Sequence, residues 1–397
     1  MKVALLNTLY APNILGGAER VVQTLANTLL ARGHEPVVIC TDNERGVKRE
    51  MVAGVPVYYV GLQNVYPLVP IEARSALAKP LWHAVDTANV GMAREVGKIL
   101  DRERPAIVHT HNLAGFSALA WSVTHDRSIP IVHTLHDYYL LCLRSTMFAN
   151  GENCDGQHRT CAVFSWPRIK MSSRVSAVVG VSNFVLDRHL SYGAFPRAQT
   201  FVIGNPCLFS TDGVKGAEIE SSSPKPLRIG FLGRLEPAKG IEQLLSAVGE
   251  LTCEHWQLHV GGRGTREAEC QLRARYTDPR IHFHGFVDRD DFFEKIDVLV
   301  VPSLSHETFG LVAIEAFAAG VPVIASRRGG LGEVVTDGVT GALFEPSHPG
   351  ALRAALDQFA ADPSRARKMR DCCVARARTF EATAIAEQYE AVYGRVM

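Results

Sequence analysis

The chain has 397 residues, too many for one ordinary core, so two domains of roughly 200 residues are expected. With 47% hydrophobic and 21% charged residues and a net charge of +1, the composition is that of a soluble globular protein and argues against a dedicated nucleic-acid binder. The balance conceals a split: residues 1–204 carry 20 Lys and Arg against 15 Asp and Glu, and residues 205–397 carry 22 against 26. A mildly basic first half could suit an anionic acceptor or a phospholipid surface, although scattered solvated charge is the better reading. The apolar run at the start stops at Asn7, too soon for a secretion signal, and no later run has membrane-spanning length. Nine cysteines, mostly isolated, fit buried thiols in a reducing compartment, so a cytoplasmic location is expected.

In chain order, the first half alternates short β-branched runs with helical spacing. Strands are predicted at Lys2–Leu6, Pro36–Cys40, Val55–Val60, Ala106–His109, Ile131–Thr134, Ala177–Val181 and Thr200–Ile203, with a helix over Ala18–Arg32 stopped by Gly33. The second half repeats the theme. It has strands at Leu227–Leu232, Trp256–Val260, Ile281–His284, Val298–Val301 and Val321–Ala325, and helices at Gly240–Leu251, Glu267–Arg275, Arg289–Lys295 and Gly310–Ala319. A helix is predicted over Phe380–Val396. Near-continuous apolar strands alternating with helices mean an α/β fold with parallel sheets covered on both faces. The polar stretch 210–226 reads as a linker, placing domains at 1–209 and 227–379. Two such sheets make a cleft, with ligands at the carboxyl ends of the strands.

Two segments carry chemistry. Ser305 to Gly320, SHETFGLVAIEAFAAG, follows a strand and opens a helix. The first-turn N–H groups around Phe309, Gly310 and Leu311 suit a diphosphate. Glu307 and Glu315 supply carboxylates that accept from sugar and ribose hydroxyls. The second segment, Gly230 to Gly240 (GFLGRLEPAKG), offers Arg234 and Lys239, cations able to lower the barrier for a departing nucleoside diphosphate.

Together the Gly-Arg-Leu-x-x-x-Lys-Gly and Glu-x7-Glu patterns resemble the GT-B retaining glycosyltransferases of family 4, the glycogen-synthase-like and mannosyltransferase-like group. The resemblance extends over Gly16-Gly17-Ala18-Glu19-Arg20, His109-Thr-His111, Thr134-Leu-His136-Asp137, Val181-Ser182-Asn183 and Gly204-Asn205-Pro206. It implies two Rossmann-like doubly wound domains facing each other across a cleft, with a C-terminal helix near 380–397 crossing back onto the first. It assigns Arg234 and Lys239 to the donor diphosphate, Glu307 to the donor sugar, Phe309, Gly310 and Leu311 to phosphates through their backbone, and Glu315 to the ribose. Gly17 lines the donor loop, Gly262 joins the donor-binding set, and His136 contacts the sugar near the reacting carbon. His136 and Glu307 are therefore the catalytic candidates. The implied donor is a UDP- or GDP-sugar and the acceptor a glycan, lipid-linked or small-molecule hydroxyl. No cofactor or metal is implied. Asn205-Pro206-Cys207 departs from the usual Asn-Gly turn.

Three further features stay open at this stage. Asp288-Arg-Asp290 has the form of a metal motif but precedes a helix, so capping is the better reading. Cys142, Cys154, His158 and Cys161 would suit tetrahedral zinc, although the spacing of the first two is unlike a compact knuckle. The segment Leu62–His83, with Tyr66 and Trp82, raises peripheral membrane contact as an expectation beside an ordinary packed loop and helix. Rival functions are a phosphorylase or nucleotide-sugar epimerase on the same fold, a non-catalytic nucleotide-sugar scaffold, and a dinucleotide oxidoreductase. The Gly261-Gly-Arg-Gly264 turn lacks the spacing that the last requires.

Overall fold

The computed structural model describes residues 1–68, 78–207 and 226–397. The predicted linker, as far as residues 210–225, and residues 69–77 of the Leu62–His83 segment lie outside the described residues. Two compact units emerge: Met1–Met147 and Cys154–Leu208 with Ala382–Met397, and Phe148–Asn153 with Phe209–Glu381, in each case for the residues described.

The first unit begins with β1 (Lys2–Leu6), α1 (Gly17–Ala31), β2 (Glu35–Asp42), β3 (Val47–Val52) and β4 (Val55–Gly61). Two helices, α2 (Ala78–Thr87) and α3 (Val90–Glu103), lead to β5 (Ile107–Thr110), α4 (Leu119–His125) and β6 (Ile131–Leu135). A hairpin, β7 (Phe148–Ala149) and β8 (Glu152–Asn153), belongs to the second unit, after which α5 (Arg159–Met171), β9 (Ala177–Gly180), α6 (Asn183–Leu190) and β10 (Gln199–Val202) return to the first. The eight-stranded sheet runs β10-β9-β6-β5-β1-β2-β4-β3. In β1, Val3, Leu5 and Leu6 are shut off from solvent, as the unbroken apolar run predicts for a strand covered on both faces. The α1 stripe Val21, Val22, Leu25, Ala26 and Leu29 is buried at helical spacing.

The edge strand β3 departs from the all-parallel expectation. It pairs antiparallel with β4, and nearly all of it is exposed. Lys48, Arg49 and Glu50 lie along it, so it has no apolar run to betray it, and charge on an edge discourages pairing with another chain.

A buried ion pair joins α2 to α5. Arg168 donates to Asp86 Oδ2 at 2.9 Å, Tyr139 donates to the same oxygen at 2.8 Å, and the Gly115 N–H reaches Oδ1 at 2.6 Å. The final helix of this unit comes from far along the chain. In it Ile385, Tyr389, Val392 and Tyr393 are buried, and Arg32 at the end of α1 grips Glu390 at 2.7 Å and Glu387 at 3.0 Å.

The second unit runs β11 (Leu227–Leu232), α7 (Ile241–Gly249), β12 (Trp256–Gly261), α8 (Arg266–Arg275), β13 (Ile281–Gly285), α9 (Arg289–Phe293) and β14 (Val298–Val301). It continues with α10 (Leu311–Ala318), β15 (Val323–Ser326), α11 (Leu331–Val334), β16 (Gly341–Phe344), α12 (Ala351–Ala361) and α13 (Ser364–Arg378), and α14 (Ala382–Val396) is the helix already placed in the first unit. The sheet is parallel throughout, in the order β13-β12-β11-β14-β15-β16. Numbered within the unit this is the doubly wound order 3-2-1-4-5-6, whose reversal of direction falls between β11 and β14. The loops after these two strands carry the Gly-Arg and Glu-x7-Glu segments.

Candidate active site

In the second unit, β11 ends at Leu232 and hands over to the loop bearing Arg234. The turn Pro237–Lys239 then closes on Gly240, which holds a positive φ of 70°. A Cβ at Gly240 would come 1.9 Å from the carbonyl oxygen of Pro302, so glycine is what lets this turn lie against the end of β14. That approach brings the cation to the carboxylate: Lys239 Nζ donates to Glu307 Oε1 at 2.6 Å, and Ser303 Oγ donates to the same oxygen at 2.7 Å. Burial pushes the Glu307 carboxyl up, but Lys239, the Ser303 hydroxyl and the charge of Arg234 outweigh it, so the carboxyl lies below its ordinary value. Arg234 is 66% exposed in its side chain and pairs with Glu236 at 3.0 Å.

The Glu307 backbone is fixed from the other side. Gly330 N–H donates to Glu307 O at 2.7 Å, and Glu307 and Gly329 form an isolated parallel bridge. Asn153 of the β7–β8 hairpin adds a two-ended clamp: its amide donates to Leu304 O at 2.7 Å and accepts from His306 N at 2.9 Å.

Beyond Glu307 the chain enters α10, with Gly310 at the N-cap in the left-handed region. A Cβ there would meet Leu331 Cδ2 at 2.5 Å. The first-turn N–H groups of an α-helix have no partner within the helix, which leaves those near Leu311 to attract an anion. Phe309 is buried, its ring edge-on to Phe380 at 5.4 Å. Glu315 lies within α10, is 2% exposed, and is engaged by the Arg289 guanidinium. Gly262 has φ 120°, and a Cβ there would come 1.8 Å from Gly233 O, so it sets the close approach of two loops.

In the first unit, Gly17 opens α1 behind the N-cap Gly16, whose N–H donates to Glu19 Oε2 at 2.9 Å. His136 follows β6 at its carboxyl end, and its Nε2 lies 2.9 Å from Nδ1 of His111, which follows β5. Loss of hydration holds His136 down to about 4, so it is neutral at physiological pH. The neighbouring Asp137 carboxyl is pushed up to about 6 by burial.

The structure thus brings Lys239, Glu307 and Ser303 together, sets Arg234 within charge range, and places Glu315 on Arg289. Sequence reasoning passed over Ser303, Arg289 and Asn153. Ser303 stands four residues before Glu307, the one signal that was available.

Comparison with known proteins adds what geometry alone does not. Residues 217–379 match the family described as glycosyl transferases group 1, and residues 15–207 match the one described as glycosyltransferase family 4. A D-inositol 3-phosphate glycosyltransferase of Streptomyces scabiei is 31% identical over 310 residues, covering 72% of this chain and 68% of that protein. An uncharacterized 42.6 kDa protein in the cps region of Klebsiella pneumoniae is 31% identical over 340 residues, covering 84% and 87%. Among solved structures, Anabaena HepE in complex with UDP aligns over 100% of both chains with a TM-score of 0.71 at 19% identity. The chain belongs to the GT-B glycosyltransferases.

Asp288 caps α9, accepting from Asp290 N at 3.0 Å and Asp291 N at 3.3 Å. Among the described residues no group of three or more His, Cys, Asp or Glu is set to hold a metal ion, and Cys142, Cys154 and Cys161 are free thiols. Trp82 turns inward, donating to Tyr66 O at 3.2 Å and stacking on its ring. No described helix is long and apolar enough to cross a membrane.

Proposed function

We propose that this glycosyltransferase moves a hexose-type sugar from a nucleoside-diphosphate donor, UDP- or GDP-linked, to a hydroxyl acceptor with retention at the anomeric carbon. The observation that carries the reading is the Lys239–Glu307 contact beside the start of α10. There a cation, a carboxylate kept ionised and a helix N-terminus converge, which suits a diphosphate and the hydroxyls of its sugar together. The UDP complex of HepE supports a nucleotide in a fold of this kind.

In the proposed step the bond from the anomeric carbon to the diphosphate oxygen breaks, and the acceptor oxygen bonds to that carbon on the same face. The acceptor proton passes to the departing phosphate. Lys239, Arg234 and the α10 N-terminus hold the charge that develops there, and Glu307 orients the sugar. Phe309, Gly310 and Leu311 serve through their backbone. The ribose role of Glu315 is proposed as one shared with Arg289. Gly17 and Gly262 keep the donor-loop roles that the resemblance assigns, and His136 keeps its contact to the sugar. The proposed setting is polysaccharide, glycolipid or envelope glycan synthesis in the cytoplasm, with peripheral membrane contact.

A thermal-shift and hydrolysis screen of UDP- and GDP-linked sugars, with Glu307→Ala as control, tests this. The expected result is one donor that stabilises the protein and is slowly hydrolysed by wild type only. A folded protein that no nucleotide sugar stabilises would overturn the reading.

A further inference from the structure

His111 and His136 stand at the carboxyl ends of the adjacent strands β5 and β6, with Nδ1 of the first 2.9 Å from Nε2 of the second. Their rings are 5.2 Å apart and nearly parallel. Burial holds both below the ordinary histidine range, so the pair is neutral. A neutral imidazole has one donor and one acceptor nitrogen, so a single proton lies between the two rings and two arrangements are open. If His136 donated from Nε2, His111 would have to carry its own proton on Nε2. That atom is buried and meets no hydrogen-bond partner among the described residues. A buried N–H with no acceptor costs more than a bare ring nitrogen, so the other arrangement is favoured.

His189 Nδ1 lies 2.8 Å from Val185 O, and a carbonyl only accepts, so the His189 proton is on Nδ1 and its Nε2 is bare. Both bare nitrogens belong to residues lining one small cavity of about 10 Å³ that His136 also lines. His109 packs 4.0 Å from the His111 ring and is itself held by Tyr393 and Thr134, at 2.8 and 2.7 Å.

We propose that His111 is a positioning residue: it donates from Nδ1 to Nε2 of His136 and holds His136 in the tautomer protonated at Nδ1. The lone pair a general base would use is then occupied, so His136 acts as a hydrogen-bond donor and not as a base. That this donor serves the transferred sugar rests on the functional reading above; the tautomer does not.

The test uses the full chain labelled with ¹⁵N-histidine, with His136→Gln assigning the resonances. Long-range ¹H–¹⁵N spectra of wild type should show His136 protonated at Nδ1, and His111→Phe should mix in the other tautomer. In parallel, His111→Phe should lose roughly 10- to 100-fold in kcat with donor KM little changed. His111→Asn, which keeps a donor at the Nδ1 position, should recover most of it. A wild-type His136 protonated at Nε2, or full kcat in a folded His111→Phe, would overturn the proposal. A wild type that turns over no nucleotide sugar overturns the functional reading instead, and the spectra then decide the tautomer alone.

Discussion

At the scale of single residues, Lys239 and Glu307 depend on each other. Glu307 is nearly buried, and the 2.6 Å contact with Lys239 is what keeps it ionised against the cost of burial. Lys239→Ala removes the cation and leaves the burial, so the Glu307 carboxyl should rise above the ordinary carboxylate range. Its ionised form, present in wild type well into acid, would then be lost as pH falls through a higher value. The acid limb of the kcat/KM profile should therefore move upward in the variant. An unmoved limb would show that Glu307 ionisation does not govern turnover. The Asp86–Arg168 pair stands in contrast, since it is committed to the scaffold: 0% and 1% exposed, with Tyr139 and Gly115 satisfying the carboxylate.

At the scale of elements, the carboxylate is aimed by glycine-bearing turns from elsewhere in the second unit. Gly329 has φ 62°, and a Cβ there would meet Glu307 O at 2.1 Å. Gly338 has a comparable φ of 75° with nothing within 4 Å of such a Cβ. Both Gly→Ala changes bear the left-handed strain of about 1–2 kcal/mol, but only Gly329→Ala also displaces the Glu307 loop. Urea unfolding should find Gly329→Ala the less stable of the two, and donor binding should survive in Gly338→Ala alone. Equal losses would separate the Gly329 turn from the site.

These contacts mark how far the sequence could be read. The strands around Leu5, Val38, Ile229 and Val300 were legible because two-sided burial writes an unbroken apolar run. The Gly-Arg and Glu-x7-Glu segments were legible because strand, loop and helix start adjoin in sequence. The edge strand at Val47–Val52 was not, having no buried face, nor was the two-residue pairing of Phe148–Ala149 with Glu152–Asn153. The His111–His136 contact, the Arg289 partner of Glu315 and the Gly329 turn join residues about 20 or more apart, and no local period records such pairings.

At the scale of the whole molecule, buried histidines make the first unit sensitive to acid. Burial holds His83, His136 and His189 down to about 4 and His109 to about 3, and it lowers His111 and His133 as well. An unfolded chain binds those protons near 6.5, so the unfolded state gains protons first as pH drops. Stability is therefore full above about pH 6.5 and falls toward pH 4, by up to about 1.4 kcal/mol per pH unit for each such histidine. Urea midpoints followed by the fluorescence of Trp82 and Trp121, both buried in this unit, should drop between pH 7 and pH 5. A midpoint independent of pH would mean these rings are hydrated.

The helix α14 completes the first unit with residues synthesised long after the rest of it. Tyr389 bonds Thr134 at 3.1 Å across 255 residues, and Tyr393 bonds His109 at 2.8 Å across 284. Domains usually fold in order as they leave the ribosome, the earliest first. Here the earlier unit emerges without the two tyrosines that close over β5 and β6, and the whole second unit is translated before they arrive. The nascent first unit must wait with an open apolar seam, so the later unit can finish its core first, and Tyr389 and Tyr393 then close over a His109–Thr134 pair already bonded at 2.7 Å.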